Sequence, residues 1–140
     1  MLLAIERVAL LRGANGFANA DPETLVAISA CCEEMSVAAG ANLFEKGHRS
    51  SSMSIIARGR VRVFDGAVTR AVLGPGQALG KLTVLVPDEQ LATAEAVEDT
   101  ILLRLEHAAL FDLMRDRAEV AHAIIHALVA RIRTGEIADG

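Results

Sequence analysis

The 140-residue chain has no tryptophan and no tyrosine, and its aromatic side chains are Phe17, Phe44, Phe64 and Phe111 alone. Platforms for single-stranded nucleic acid stack bases on exposed rings, so this poverty argues against that class. Cysteine is confined to the adjacent pair Cys31 and Cys32. Neighbouring cysteines rarely reach disulfide geometry, which argues against a stapled secreted scaffold and for a reducing, cytoplasmic setting. There is no basic run: 14 Lys and Arg stand against 18 Asp and Glu, giving a net charge of -4. Nonspecific binding to nucleic acid is therefore not expected. Nor is there an apolar run long enough to cross a bilayer. The opening "MLLAIERVALL" carries Glu6 and Arg7, and lacks a basic leader with a small-residue cleavage site. It reads as an amphipathic helix that packs on the domain or joins it to a neighbour, with no membrane contact.

What is present is aliphatic. Hydrophobic residues make up 52% of the chain, enough for one closed core in a single domain. Residues 1–16 read as an N-terminal helix and linker, ending in the Gly-Ala-Asn-Gly break at 13–16, and residues 17–140 as the domain. "DPETLVAISACCEEM" starts as a helix, with Asp21 as cap, Pro22 in the first turn and Glu23 at the positive end. Leu25, Ile28 and Cys32 are assigned to one face.

From Ser36 the pattern changes to short strand-like runs: "NLFE", "SMSIIA", "RVRVF", "TRAVL", "ATAEAV" and "TILLRL", separated by Gly, Pro and Asp. That spacing signals a small barrel or jelly roll. Asp65-Gly66 is the pair expected in the hairpin turn after Val61 and Val63. Beyond Glu106 the period is helical again, and "AEVAHAIIHALVARI" puts Val120, Ile124, Leu128 and Ile132 on one stripe flanked by Ile125 and Val129. Gly135 is the expected stop, and "TGEIADG" is expected to fray. The fold class is thus mainly β, a jelly-roll barrel with N-terminal helices before it and two helices after it.

In this order the segments resemble the cyclic nucleotide-binding domain family over about residues 10–133. "GANLFEKGH" is similar to that family's Gly-x-x-Leu-Phe-x-x-Gly turn, with Gly40, Leu43, Phe44 and Gly47 matching and His48 in place of an acid. "MSIIARGRVRVF" is similar to its strand, glycine and strand, with Gly59 at the glycine. "LGPGQALG" resembles the lead into the phosphate-binding cassette, and "EDTILLRLEHAALFDLM" the last strand and first following helix.

The resemblance implies a ligand site at Gly80, Lys81, Leu82 and Thr83, and at Gln90, Leu91, Ala92 and Thr93. In the family, backbone N–H groups cradle the cyclic phosphate, an arginine adds a bidentate hydrogen bond, and a glutamate accepts the ribose hydroxyl. Gly80, Ala92 and Thr93 match; Lys81 stands where the glutamate belongs and Gln90 where the arginine belongs. Losing the guanidinium costs on the order of 1.5–3 kcal/mol, roughly ten- to a hundredfold in affinity. Two readings of Lys81 stay open: solvated at a vestigial pocket mouth, or meeting an anion at the start of the cassette's short helix. Arg131 and Arg133 are candidates for a lid over a base; a solvated basic helix end is the alternative.

Other reactive residues form no recognised site. His122 and His126 have metal-compatible spacing without further ligands, and His48 and His107 have no carboxylate partner evident nearby in sequence. The His-x-His of a metal-dependent cupin is absent. Ser50, Ser51 and Ser52 read as a polar loop, since no Gly-x-Ser-x-Gly elbow is present. Cys31 and Cys32 read as small buried residues.

The leading expectation is a regulatory module of a larger protein such as a transporter, channel or enzyme, itself not an enzyme and without a cofactor. It is not expected to bind cyclic AMP or cyclic GMP in the usual way. One alternative is a true sensor of a cyclic nucleotide or another small anion; another is an interaction module that forms a homodimer or joins a larger protein through its terminal helices. A helix-turn-helix after the last helix would be needed for transcription-factor activity, and none is present before Gly140.

Overall fold

The computed structural model describes residues 1–14, 17 and 20–135, and among these the order is two helices, ten strands and two helices. The expected break at 13–16, the boundary after it and the tail beyond Gly135 lie partly or wholly outside the described residues. Helix α1 (Ala4–Gly13) is docked rather than projecting. Leu2 and Leu11 are buried, Arg7 donates from Nη1 to the Cys32 carbonyl at 3.0 Å, and the Leu2 N–H donates to the Glu34 carboxylate. Helix α2 (Pro22–Ala30) starts where its cap dictates. Asp21 accepts from the Thr24 N–H and from the Thr24 hydroxyl, each at 3.0 Å, and these bonds hold its carboxyl below the usual carboxylate range.

The reading of strands from Ser36 is corrected here. Strand β1 (Glu33–Val37) begins three residues earlier and pairs antiparallel along β10 (Thr100–Glu106), from Glu33 opposite Arg104 to Val37 opposite Thr100. Its sequence, Glu-Glu-Met-Ser-Val, has no strong alternation, so the partner strand rather than local propensity decides its conformation. Cys32 accordingly lies beyond α2, although it is buried as expected.

The remaining strands are β2 (Asn42–Phe44), β3 (Arg49–Ser50), β4 (Ser52–Arg58), β5 (Val61–Asp65), β6 (Val68–Leu73), β7 (Ala78–Leu79), β8 (Asp88–Glu89) and β9 (Thr93–Ala96). One sheet has the order β1-β10-β4-β7, the second β2-β9-β5-β6, and β3 pairs with β8. All pairings are antiparallel among the described residues. The β5–β6 turn is one residue later than the sequence suggests. Asp65 pairs with Val68, so Gly66 and Ala67 form the two-residue loop, with Gly66 alone at positive φ (58°). Glycine first is the preference of a type II′ turn.

The seam between β4 and β10 separates two apolar interiors. Met53 and Ile55 on β4, with Leu103 and Leu105 on β10, turn outward and pack with Leu11, Leu25, Ile28, Leu110 and Val120. Their alternate neighbours Ile56 and Leu102 turn inward to meet Val61, Leu79 and Ala94 inside the roll. Period-2 alternation in a strand covered on both faces accounts for the continuous apolar run "ILL".

Helix α3 (His107–Asp116) and α4 (Ala118–Thr134) close the outer core, and Gly135 ends α4 in the left-handed conformation expected of it (φ 78°). The predicted stripe on α4 is rotated. The buried face is Val120, Ile124, Ala127 and Arg131, whereas Ile132 is 63% exposed and shares the open face with Ile125 and Val129.

The two cysteines are both free but differ in burial, Cys32 at 6% exposure and Cys31 half-buried. Burial pushes the Cys32 thiol up to about 12. At pH 8 a thiol of that pKa is ionised in roughly one molecule in ten thousand, and the thiolate is the nucleophile. Iodoacetamide at pH 8 followed by peptide mass mapping should therefore modify Cys31 well before Cys32, with Cys32 becoming reactive on unfolding. Equal rates in the native protein would contradict the burial argument.

Candidate functional site

The cassette is built as backbone first. Strand β7 delivers Gly80 at φ 78°, so close to β4 that a Cβ there would collide with the Ser52 carbonyl oxygen and stand 3.0 Å from the Thr83 hydroxyl. Only glycine serves, because both the conformation and the space exclude a side chain. Thr83 locks the same corner, its hydroxyl lying 3.3 Å from both the Ser52 and Gly80 carbonyls. The expected short helix is instead a run of turns over 81–85. Within it Val84 donates to Gly80 at 3.1 Å and Val86 to Leu82 at 2.9 Å, before Pro87 stops any propagation.

The second half is tied to the β2–β3 turn. The Gln90 N–H donates to the His48 carbonyl and the Gly47 N–H to the Gln90 carbonyl, both at 2.9 Å. Thr93 opens β9 and accepts the Lys46 N–H on its hydroxyl at 3.1 Å. Ala92 and Ala94 are buried at 8% and 0% exposure; small side chains let β9 approach the roll interior.

The side chains do not converge. Leu91 is 72% exposed, and Leu82 is half-buried. The Gln90 Nε2 is buried without a hydrogen-bond partner, an uncommon state for an amide. Lys81 lines a small cavity against Phe17, Val84 and Arg131, between the turn and α4. Arg131 is 5% exposed, which corrects the reading of a solvated helix end; Arg133 is exposed. Neither arginine lines the cavity inside the roll.

That roll cavity, about 290 Å³, has a lining the sequence reading missed. Its polar wall is Arg49, Arg104 and the serines at 50, 51, 52 and 54, facing Phe44 and Leu102 among its apolar residues; none of the eight cassette residues contributes. Arg104 pairs with Glu106 at 2.8 Å, yet its Nε is buried with no partner. The serines are therefore not a free polar loop: Ser50 belongs to β3, and Ser52 and Ser54 to the inward face of β4. Alternation carried the missing signal, because in "TILLRLE" Arg104 shares the inward face with Leu102. Two cations and a set of hydroxyls suit an anionic, polar ligand chemically.

The histidines form no such focus. His48 lies 3.7 Å from Glu45, a pair overlooked in the sequence, but both are exposed. His107 is committed through Nδ1 to the Val84 carbonyl at 2.8 Å, and His122 and His126 are exposed on α4. Among the described residues no group of three or more His, Cys, Asp or Glu is arranged to hold a metal. No described helix is long and apolar enough to cross a membrane.

Comparison with known proteins gives a family match. The model of the cyclic nucleotide-binding domain matches residues 34–117. The cyclic AMP receptor protein of Thermus thermophilus is 34% identical over 103 residues, 70% of this chain and 48% of that protein. Lysophospholipase NTE1 of Chaetomium globosum is 27% identical over 143 residues, 94% of this chain but only 9% of the enzyme. The chain thus spans about half or less of the length of these relatives. Among solved structures, the N-terminal domain of a transcriptional regulator from Streptomyces coelicolor superposes with a TM-score of 0.85 at 29% identity, covering 90% of this chain and 94% of that one.

Gly80→Ala should destabilise the fold by about 2–4 kcal/mol, combining a left-handed backbone penalty with overpacking against the Ser52 carbonyl. Urea unfolding checks this, and a loss below 1 kcal/mol would show that the turn moves away from β4 without resistance.

Proposed function

The chain belongs to the cyclic nucleotide-binding domain family, and on that premise we propose that it is a regulatory module, not an enzyme, whose cassette no longer reads a cyclic nucleotide. The observation that carries this is the pair of replacements at 81 and 90. The frame of Gly80, Thr83 and Thr93 is held by its own hydrogen bonds, while Gln90 offers a neutral amide and Lys81 sits on the α4 side of the turn. A phosphate in the cassette would lack its guanidinium, and a ribose hydroxyl its carboxylate acceptor. The curated relatives are longer proteins, which supports a domain that acts on attached segments. The exposed Ile125, Val129 and Ile132 on α4 support a contact with such a segment or with a second copy.

A second reading is favoured by the roll cavity. A sensor of a different polar anion would use Arg49, Arg104 and the serine wall rather than the cassette positions 80–83 and 90–93.

Calorimetry separates the readings. Wild type should show no binding of cyclic AMP or cyclic GMP at micromolar concentration, and K81E/Q90R should gain roughly ten- to a hundredfold or more over the wild type. Micromolar binding by the wild type would overturn the proposal. R104M would weaken binding of a polar anion only if the second reading holds.

A further inference from the structure

The least expected group in the molecule is the guanidinium of Arg131. It is 5% exposed, and its Nε and Nη1 are buried without any hydrogen-bond acceptor. Arginine cannot shed its proton at any physiological pH, so burial does not neutralise it as it would a lysine. A buried charge that is neither paired nor hydrogen-bonded is strongly disfavoured, and such groups are met by a counter-charge.

Arg131 lines a cavity of about 30 Å³ whose other walls include Phe17, Val84, Leu110 and Ile124. Among the described residues no carboxylate lines it, and Lys81, which has an interaction of its own, is the second cation on its wall. The volume admits one or two water-sized species and nothing of nucleotide size. Water would satisfy the N–H groups but leave the charge uncompensated. We propose that this cavity is a site for one small monovalent anion, of chloride or formate size, held by the Arg131 guanidinium.

The placement gives the site a consequence. Its walls come from the cassette turn (Val84, Leu85), β10 (Leu105) and the last turns of α4 (Leu128, Arg131). A bound anion fastens the C-terminal half of α4 to the turn that follows Gly80. Anion occupancy thereby stabilises the docked position of α4 independently of any ligand in the roll.

The test compares thermal unfolding of the intact chain in sodium chloride and in sodium gluconate at equal ionic strength, gluconate being too large for the cavity. Wild type should melt higher in chloride by about 3 °C or more once the site is saturated. R131M, which keeps the apolar stem and removes the fork, should melt at the same temperature in both salts, and R131K should show a smaller chloride effect than wild type. Crystals grown in sodium bromide should carry an anomalous peak at the guanidinium. Equal melting of the wild type in the two salts, an undiminished chloride effect in R131M, or water without bromide in the cavity would each overturn the proposal. The wild-type salt comparison and the bromide experiment hold even if a variant fails to fold.

Discussion

The antiparallel pairing of β4 with β10 is the constraint on which the other parts of the molecule depend. One register places Met53 opposite Leu105 and Ile55 opposite Leu103 on the helix side, and Ile56 opposite Leu102 on the roll side. A slip of β4 by one residue would exchange its two faces, putting Ser54 among the helices and turning Met53 and Ile55 into the roll. The same two strands position the candidate sites. Ser52 on β4 is the backbone against which Gly80 folds, and Arg104 on β10 projects its charge into the roll cavity.

Much of this was legible in the sequence because it is written in local chemistry. Asp21 and Pro22 start α2, Gly135 ends α4, and the turn glycines mark where strands reverse. The parts that escaped are set by partners distant in the chain. Strand β1 has no pattern of its own and is strand because β10 lies beside it. The α4 stripe was misplaced because the helix is wide and aliphatic on several sides, so composition does not reveal which side the sheet covers. Ser50–Ser52 reads as a loop because only the pairing of β3 with β8, and of β4 with β10 and β7, shows that these serines line a cavity.

The candidate site divides along the same line. Its backbone geometry was predictable from Gly80, Ala92 and Thr93, since those residues answer to sterics that any family member shares. Its side-chain chemistry was predictable only as a loss at 81 and 90. The burial of two other cations was not readable: Arg104 lines the roll cavity and Arg131 the helical layer, each with buried nitrogen lacking a protein partner.

We propose that the turn after Gly80 keeps a phosphate-binding shape without the capacity to hold a cyclic nucleotide. Amide chemical shifts of the ¹⁵N-labelled wild-type chain, followed while cyclic AMP is raised to millimolar concentration, test this residue by residue. The prediction is that the signals of Gly80, Lys81, Leu82 and Thr83 stay in place. Saturable movement of those four signals, together with those of Gln90 and Thr93, would contradict it.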